Sequence, residues 1–354
     1  MSALLELPAY RELVADVAAL AYPWEELRGK SVVLTGGTGL VGSFLADVLR
    51  LAAPECRLVL IGRSLERVKK RFAPYWGKDS FVFVPHSFAA GEPLKHPFLD
   101  GLEPPAAVLH LASNTHPAAY ASDPIGTIVL NVVFLNTLLN WAADRGTSRF
   151  LFASSNEIYG DNRGDTEFFG EKYCGYIDCN TLRAGYPESK RCGEALCQAY
   201  LSQRGLPCVV ARLTRTYGPT VLDTDTKAVN QFFRDAIERR DIVLKSDGCQ
   251  HYSYLFLPDT VSGLLTVLFR GSPGEAYNVA DPASDITLRD LASLIASVAG
   301  RQVVHAPPHP LEKAGFSVVT KARLDATKLR RLGWSAAWDI ERGVRANFEM
   351  LSAL

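Results

Sequence analysis

The sequence predicts an α/β protein built on a doubly wound parallel sheet, with a smaller C-terminal lobe. Three observations lead there: a glycine-rich turn straight after an apolar run, short apolar runs alternating with helical patterns, and a loss of that rhythm past Tyr217. Residues 3–20 show the spacing of a short amphipathic helix, Pro23 and Gly29 break it, and residues 1–28 are expected to form an N-terminal helical extension. Residues 31–34 are a buried strand running into the glycine turn, and residues 43–51 continue as a helix. Further apolar runs at 57–61, 81–84, 107–111, 150–153 and 208–212 do not alternate with polar residues. Strands buried on both faces require such runs, as in a parallel sheet covered by helices. The expected division is 1–28, then 29–216 as the nucleotide-binding domain, then 217–354 as mainly a substrate-binding lobe. Residues 250–270 are expected to return to the first domain.

Composition narrows the function classes. Lys plus Arg equals Asp plus Glu at 38 each, so no charge surplus calls for nucleic acid or anionic lipid. Pro8, Glu6, Arg11 and Glu12 interrupt the N-terminus, which lacks the basic start and unbroken apolar stretch of a signal peptide. No segment is expected to span a membrane. Seven scattered cysteines without a Cys-x-x-Cys fit reduced thiols in the cytoplasm, and Cys174 and Cys179 lack zinc-knuckle spacing, so no metal is expected.

Gly36, Gly39 and Gly42 stand three apart, with Thr38, Leu40 and Val41 among them, after a strand and opening a helix. Glycines there permit a tight turn and close approach of pyrophosphate, and the free N–H groups of the helix start favour its charge. The motif is that of a Rossmann dinucleotide site. An acidic residue at the end of the second strand would select NAD+ through the ribose 2′-hydroxyl. Here Arg63 stands there, with Arg67 one turn on. Arg63 either pairs with the 2′-phosphate of NADP+ or is a solvated loop arginine.

Tyr186 and Lys190 are four residues apart, so they share a helix face. A phenol titrates near ~10 and is a poor base at neutral pH. At an effective dielectric of 20, an ammonium at ~4 Å favours the phenolate by ~4 kcal/mol, which is roughly three pK units. The pair is equipped to move a proton while a nicotinamide moves a hydride.

These residues, with Ser154-Ser155-Asn156-Glu157-Ile158-Tyr159-Gly160 after a strand, resemble the extended short-chain dehydrogenase/reductases that modify nucleotide sugars. His110-Leu111-Ala112-Ser113, Pro117, Tyr120, Asp123-Pro124-Ile125 and Thr127 resemble the UDP-glucuronate decarboxylases, as does the stretch from Glu171 through Arg183 to Tyr186. The resemblance implies that Leu111, Ala112 and Ser113 line the cofactor, NAD+ being the family default. It also implies that the Ser155 hydroxyl bonds the reacting sugar oxygen and that Lys190 holds the nicotinamide ribose. An acid at Glu157 fits decarboxylases and 4,6-dehydratases better than simple 4-epimerases, whereas Asn156 replaces the acid that glucose-type dehydratases use for water loss.

Two departures stand out: Tyr252 occupies the usual place of an arginine for the diphosphate, and Arg215 that of an asparagine at the phosphates. Arg215 is expected to meet the diphosphate or a sugar carboxylate. Tyr252 stacks on the base or packs, and Arg183 reaches substrate or forms a structural salt bridge. The implied course is oxidation at C4, activation of C5 by the new ketone, loss of carbon dioxide from a C6 carboxylate and return of hydride. A 4,6-dehydratase, a 4-epimerase and an NADPH-dependent carbonyl reductase are the alternatives. A homodimer through the helices carrying Tyr186 and Asn131 is the family expectation.

Overall fold

The computed structural model describes residues 2–307 and 320–354. Seven strands make the main sheet: β1 Ser31–Thr35, β2 Arg57–Gly62, β3 Phe81–Pro85, β4 Ala107–His110, β5 Phe150–Ser155, β6 Cys208–Leu213 and β10 Ala276–Val279. Their order is β10-β6-β5-β4-β1-β2-β3, and every pairing is parallel. The chain reverses direction across the sheet between β1 and β4, which opens a crevice at the carboxyl ends of those strands. Along β1, Val32 and Leu34 enter one apolar core and Val33 the other. That two-sided burial is why the run reads as continuously apolar.

Helix α1 (Pro8–Ala18) packs on α2 (Leu40–Ala52), which follows the glycine turn. A buried network joins them to α3 (Leu65–Arg71): Tyr10 donates to Asp47 at 2.6 Å, and Arg71 pairs with Asp47 and donates to Tyr10 at 2.9 Å. Helix α4 runs from Pro124 to Asp144. Asp123 caps it by accepting from the Gly126 N–H, Pro124 opens it, and Val129–Phe134 is π-helical. It is 21 residues long with mean hydropathy 1.6, long and apolar enough to cross a bilayer, and half of it is buried in the protein. This differs from the expectation that no segment reaches that length, because its polar residues are asparagines and threonines, with no charge before Asp144. Helix α5 (Gly185–Arg204) packs beside it and stops at Gly205, which adopts the left-handed conformation (φ 65°).

The remaining strands form smaller sheets. β9 (His251–Phe256) pairs with β7 (Arg215–Tyr217), β11 (Asp285–Thr287) and β13 (Lys321–Ala322), and β8 (Ile242–Leu244) pairs with β12 (Val303–His305). Helix α6 is Ala228–Ile237, and helix α7 (Leu257–Arg270) packs on α1 and α2. The returning stretch therefore differs from the expected 250–270. β9 belongs to the small sheet, α7 packs on the main domain, and the return reaches Val279 because β10 completes the main sheet. β7 crosses the expected boundary at 216, so the small sheet takes strands from both sides of it.

Candidate active site

A cleft of about 550 Å³ follows the carboxyl ends of the main sheet and passes beneath the small sheet. Every residue expected above to bind cofactor or substrate or to take part in catalysis lines it. Gly36, Thr38, Gly39, Leu40, Val41 and Gly42 form its floor at the start of α2, whose N-cap Gly39 leaves the helix without a side-chain cap. Gly36 has φ +74°, and a Cβ there would lie 2.7 Å from the Ala112 nitrogen. A Cβ on Gly42 would collide with the Gly36 carbonyl. Only glycine builds this cradle, and its uncapped N–H groups suit a pyrophosphate. Leu111, Ala112 and Ser113 follow β4 along one wall. Thr35 fixes that wall, its hydroxyl contacting His110 Nδ1 at 2.8 Å and accepting from the Ala112 N–H at 3.2 Å. Burial and Lys190 bring His110 down to about 3, so its imidazole stays neutral.

At the outer end of β2 the lining is Arg63, Ser64 and Arg67. Ser64 caps α3 by accepting from the Arg67 N–H at 3.2 Å, which leaves both guanidinium groups on the exposed rim. The acidic residues lining the cleft, Glu157 and Asp225, stand elsewhere along it.

Tyr186 and Lys190 lie on the first turns of α5, both buried. Lys190 Nζ donates to the Ala153 carbonyl at 2.8 Å and sits 4.7 Å from the Phe152 ring centre. The expected lowering of the phenol by the ammonium is corrected here. Burial pushes Tyr186 up to about 12, with a hydrogen bond from Ser155 the principal opposing influence. Burial also brings Lys190 down to about 7. Desolvation outweighs the attraction because the ammonium is turned toward the end of β5 and the Phe152 ring.

β5 ends in a turn of 3-10 helix, Asn156–Tyr159, capped by Ser155 accepting from the Glu157 N–H at 3.2 Å. That turn seats Ser155 and Asn156 in the buried wall and aims Glu157 at two arginines. Arg183 Nη2 donates to Glu157 Oε2 at 2.7 Å, and Arg215 Nη2 contacts Oε1 at 3.4 Å. The Arg215 guanidinium lies over the Tyr252 ring, 3.4 Å from its centre. In the structure Arg183 forms a salt bridge with Glu157, and Tyr252 packs against an arginine. Arg215 stands on β7 opposite Tyr254 of β9 and its guanidinium reaches over Tyr252, so the cation absent from position 252 comes to the same wall from the neighbouring strand.

Three residues lining the cleft, Tyr120, Lys227 and Lys245, were not foreseen. Tyr120 stacks on Tyr186 with ring centres 4.8 Å apart, and the Arg183 guanidinium lies 4.8 Å from the Tyr120 ring centre. The only sequence signal was the place of Tyr120 in the motif before α4. Asn131, on the π-helical turn, accepts from Ser113 at 2.8 Å and donates to Ser189 at 3.0 Å, tying the cofactor wall to α5. Lys227 and Lys245 line the far end through α6 and β8. Their spacing from the catalytic motifs carries no period that would reveal them. Among the described residues no group of three His, Cys, Asp or Glu side chains is placed to hold a metal.

A doubly wound sheet, a glycine cradle at a helix start and a buried Tyr–Lys pair above it define a nicotinamide-dependent enzyme of the extended short-chain type. The sequence profile of the NAD dependent epimerase/dehydratase family matches residues 32–280, and the chain belongs to that family. It is 29% identical over 326 residues to UDP-glucuronic acid decarboxylase 1 of Danio rerio, covering 91% of this chain and 73% of that protein. It is 30% identical over 272 residues to the Xenopus tropicalis protein of the same name, covering 77% of this chain and 61% of that one. Among solved structures, a UDP-glucuronic acid 4-epimerase from Bacillus cereus, in complex with UDP-glucuronic acid and NAD, superposes with TM-score 0.76. That likeness is 18% identical and covers 91% of this chain and 99% of that one. A dTDP-glucose 4,6-dehydratase from Streptomyces venezuelae superposes with TM-score 0.75, at 22% identity, covering 90% and 96%. At such identities the two structures speak for the fold.

Proposed function

We propose that this chain oxidises C4 of a nucleotide-diphosphate sugar transiently and that its substrate is UDP-glucuronate, decarboxylated toward UDP-xylose. The observation that carries the reading is the cluster beside Tyr186. Glu157, Arg183 and Arg215 sum to one positive charge, and Arg183 Nε and Nη1 and Arg215 Nη1 are buried without a hydrogen-bond partner among the described residues. An uncompensated charge in a half-dry cleft is costly, and a sugar carboxylate supplies the missing partner. A neutral hexose does not.

Tyr186 takes the proton from the C4 hydroxyl, Ser155 orients that oxygen, and Lys190 holds the ribose. Bound NAD(P)+ supplies the hydride acceptor and a positive ring charge that favours the phenolate. The C4 ketone makes the C6 carboxylate a β-keto acid, so the C5–C6 bond breaks with its electrons drawn into the C4 oxygen. The enolate then takes a proton from water at C5, and return of the hydride to C4, with the proton on Tyr186 going back to the C4 oxygen, gives the pentose. Glu157 positions the sugar through its arginines. Gly36, Gly39 and Gly42 seat the pyrophosphate. The rim of Arg63, Ser64 and Arg67 with no carboxylate favours a 2′-phosphate, and hence NADP+ over NAD+. Comparing the two affinities checks that choice, and tighter NAD+ binding rejects it.

Ile125, Leu182, Ile128 and Val133 expose apolar surface on and beside α4 and α5, and we assign this face to a second copy in a homodimer. Free cysteines and the zero formal charge favour a cytoplasmic enzyme without nucleic-acid or membrane partners. The deciding experiment incubates the protein and cofactor with UDP-, dTDP-, GDP- and CDP-sugars and follows product mass. Loss of carbon dioxide from UDP-glucuronate supports the reading. Loss of water from a hexose, altered mobility at constant mass, or stoichiometric NADPH consumption replaces it with the dehydratase, epimerase or reductase respectively.

A further inference from the structure

Glu157 is held at both oxygens. Arg183 takes one at 2.7 Å, while Arg215 reaches the other at 3.4 Å, a weak contact made through a single nitrogen. The two guanidinium groups present ten N–H donors, more than one carboxylate can accept, and buried donors on both are left over. Glu157 is not the sole support of Arg215, because its guanidinium also lies over the ring of Tyr252, a residue only 6% exposed. Arg183 is fixed more firmly, by its short bond to Glu157 and its seat over Tyr120, which stacks in turn on the reacting phenol.

We infer that Glu157 is a displaceable counter-ion: the carboxylate of the incoming sugar takes Arg215 from it, while Arg183 stays with Glu157. This rests on the uronate reading given above. Two guanidinium groups and two carboxylates then form two balanced pairs, and the Arg215 nitrogen that lacks a partner gains one. Glu157 therefore competes with substrate for the same cation. The competition lowers affinity for the uronate, and it returns Arg215 to Glu157 once carbon dioxide has left, because the pentose product has no carboxylate with which to hold it. A neutral hexose cannot displace Glu157, so the same contact selects against it. The role differs from proton transfer at C5, for which a carboxylate tied by two arginines is poorly placed.

The test measures equilibrium binding to the cofactor-loaded protein by calorimetry. Glu157→Gln should bind UDP-glucuronate about tenfold more tightly than the natural protein, leave UDP-xylose affinity unchanged, and bind cofactor normally, which verifies its fold. Arg215→Met should lose the preference for UDP-glucuronate over UDP-xylose. Unchanged or weaker UDP-glucuronate binding by Glu157→Gln overturns the counter-ion role, and so does a preference that survives in Arg215→Met. If the natural protein itself shows no preference for UDP-glucuronate over UDP-glucose, the functional reading falls first and the counter-ion role falls with it.

Discussion

Asp47 and Glu157 are both carboxylates drawn to arginine inside the protein, yet they are set in opposite ways. Asp47 faces one guanidinium, the charges cancel, and Tyr10 and the Ser43 carbonyl take further hydrogen bonds. The Asp47 and Arg71 side chains are 0% and 1% exposed. Glu157 faces two guanidinium groups, the charges do not cancel, and the three side chains keep 14–16% exposure toward the cleft. The same residue types thus serve as a lock where donors and charge nearly balance, and as the proposed receptor where both are left in excess.

The largest expected effect breaks the lock. Asp47→Ala leaves Arg71 buried and unpaired and should cost about 3–5 kcal/mol in denaturant unfolding, with kcat per folded molecule unchanged. A loss below about 1 kcal/mol would make the lock an ordinary surface-type pair. Next, Arg215→Met should lower kcat/KM for UDP-glucuronate about 100-fold, or roughly 2.7 kcal/mol, while the unfolding midpoint holds or rises. A fall in stability with intact turnover would reverse the two assignments.

Lys190 sharpens the contrast by a smaller amount. Burial brings it from 10.5 to about 7, so between those values the unfolded chain keeps a proton that the folded one has released. Stability should rise with pH across that window. Lys190→Met should therefore raise the unfolding midpoint below pH 7, with the gain fading toward pH 10.5, while turnover is abolished. Unchanged stability would show that the ammonium is better solvated than its surroundings indicate. The smallest effect belongs to the exposed Arg204–Asp144 pair, whose loss in Arg204→Ala should cost about 0.5 kcal/mol or less by the same unfolding measurement.

What was legible in the sequence was whatever is written locally. The six early strands and the cradle follow from adjacent residues whose neighbours in sequence are also neighbours in space. β10 was missed because Ala276–Val279 is only four residues long and sits in a tail without the strand–helix rhythm. Tyr186 and Lys190 were found from their spacing, but the direction of the phenol's shift was not. Desolvation depends on what covers a group, and no spacing records that. The receptor cluster draws Glu157 from the end of β5, Arg183 from just before α5 and Arg215 from β7, so only the closed fold shows that they share one carboxylate.

The family profile begins at residue 32, just inside β1, and so omits the segment that supplies Tyr10. A fragment cut to the matched residues would retain nearly all of the main sheet and every group around the reacting carbon. It would also bare the sides of α2 and α7 that α1 covers and strip Asp47 and Arg71 of their phenol. The groups around the reacting carbon thus lie inside the matched stretch, while part of what covers α2 and α7 lies outside it.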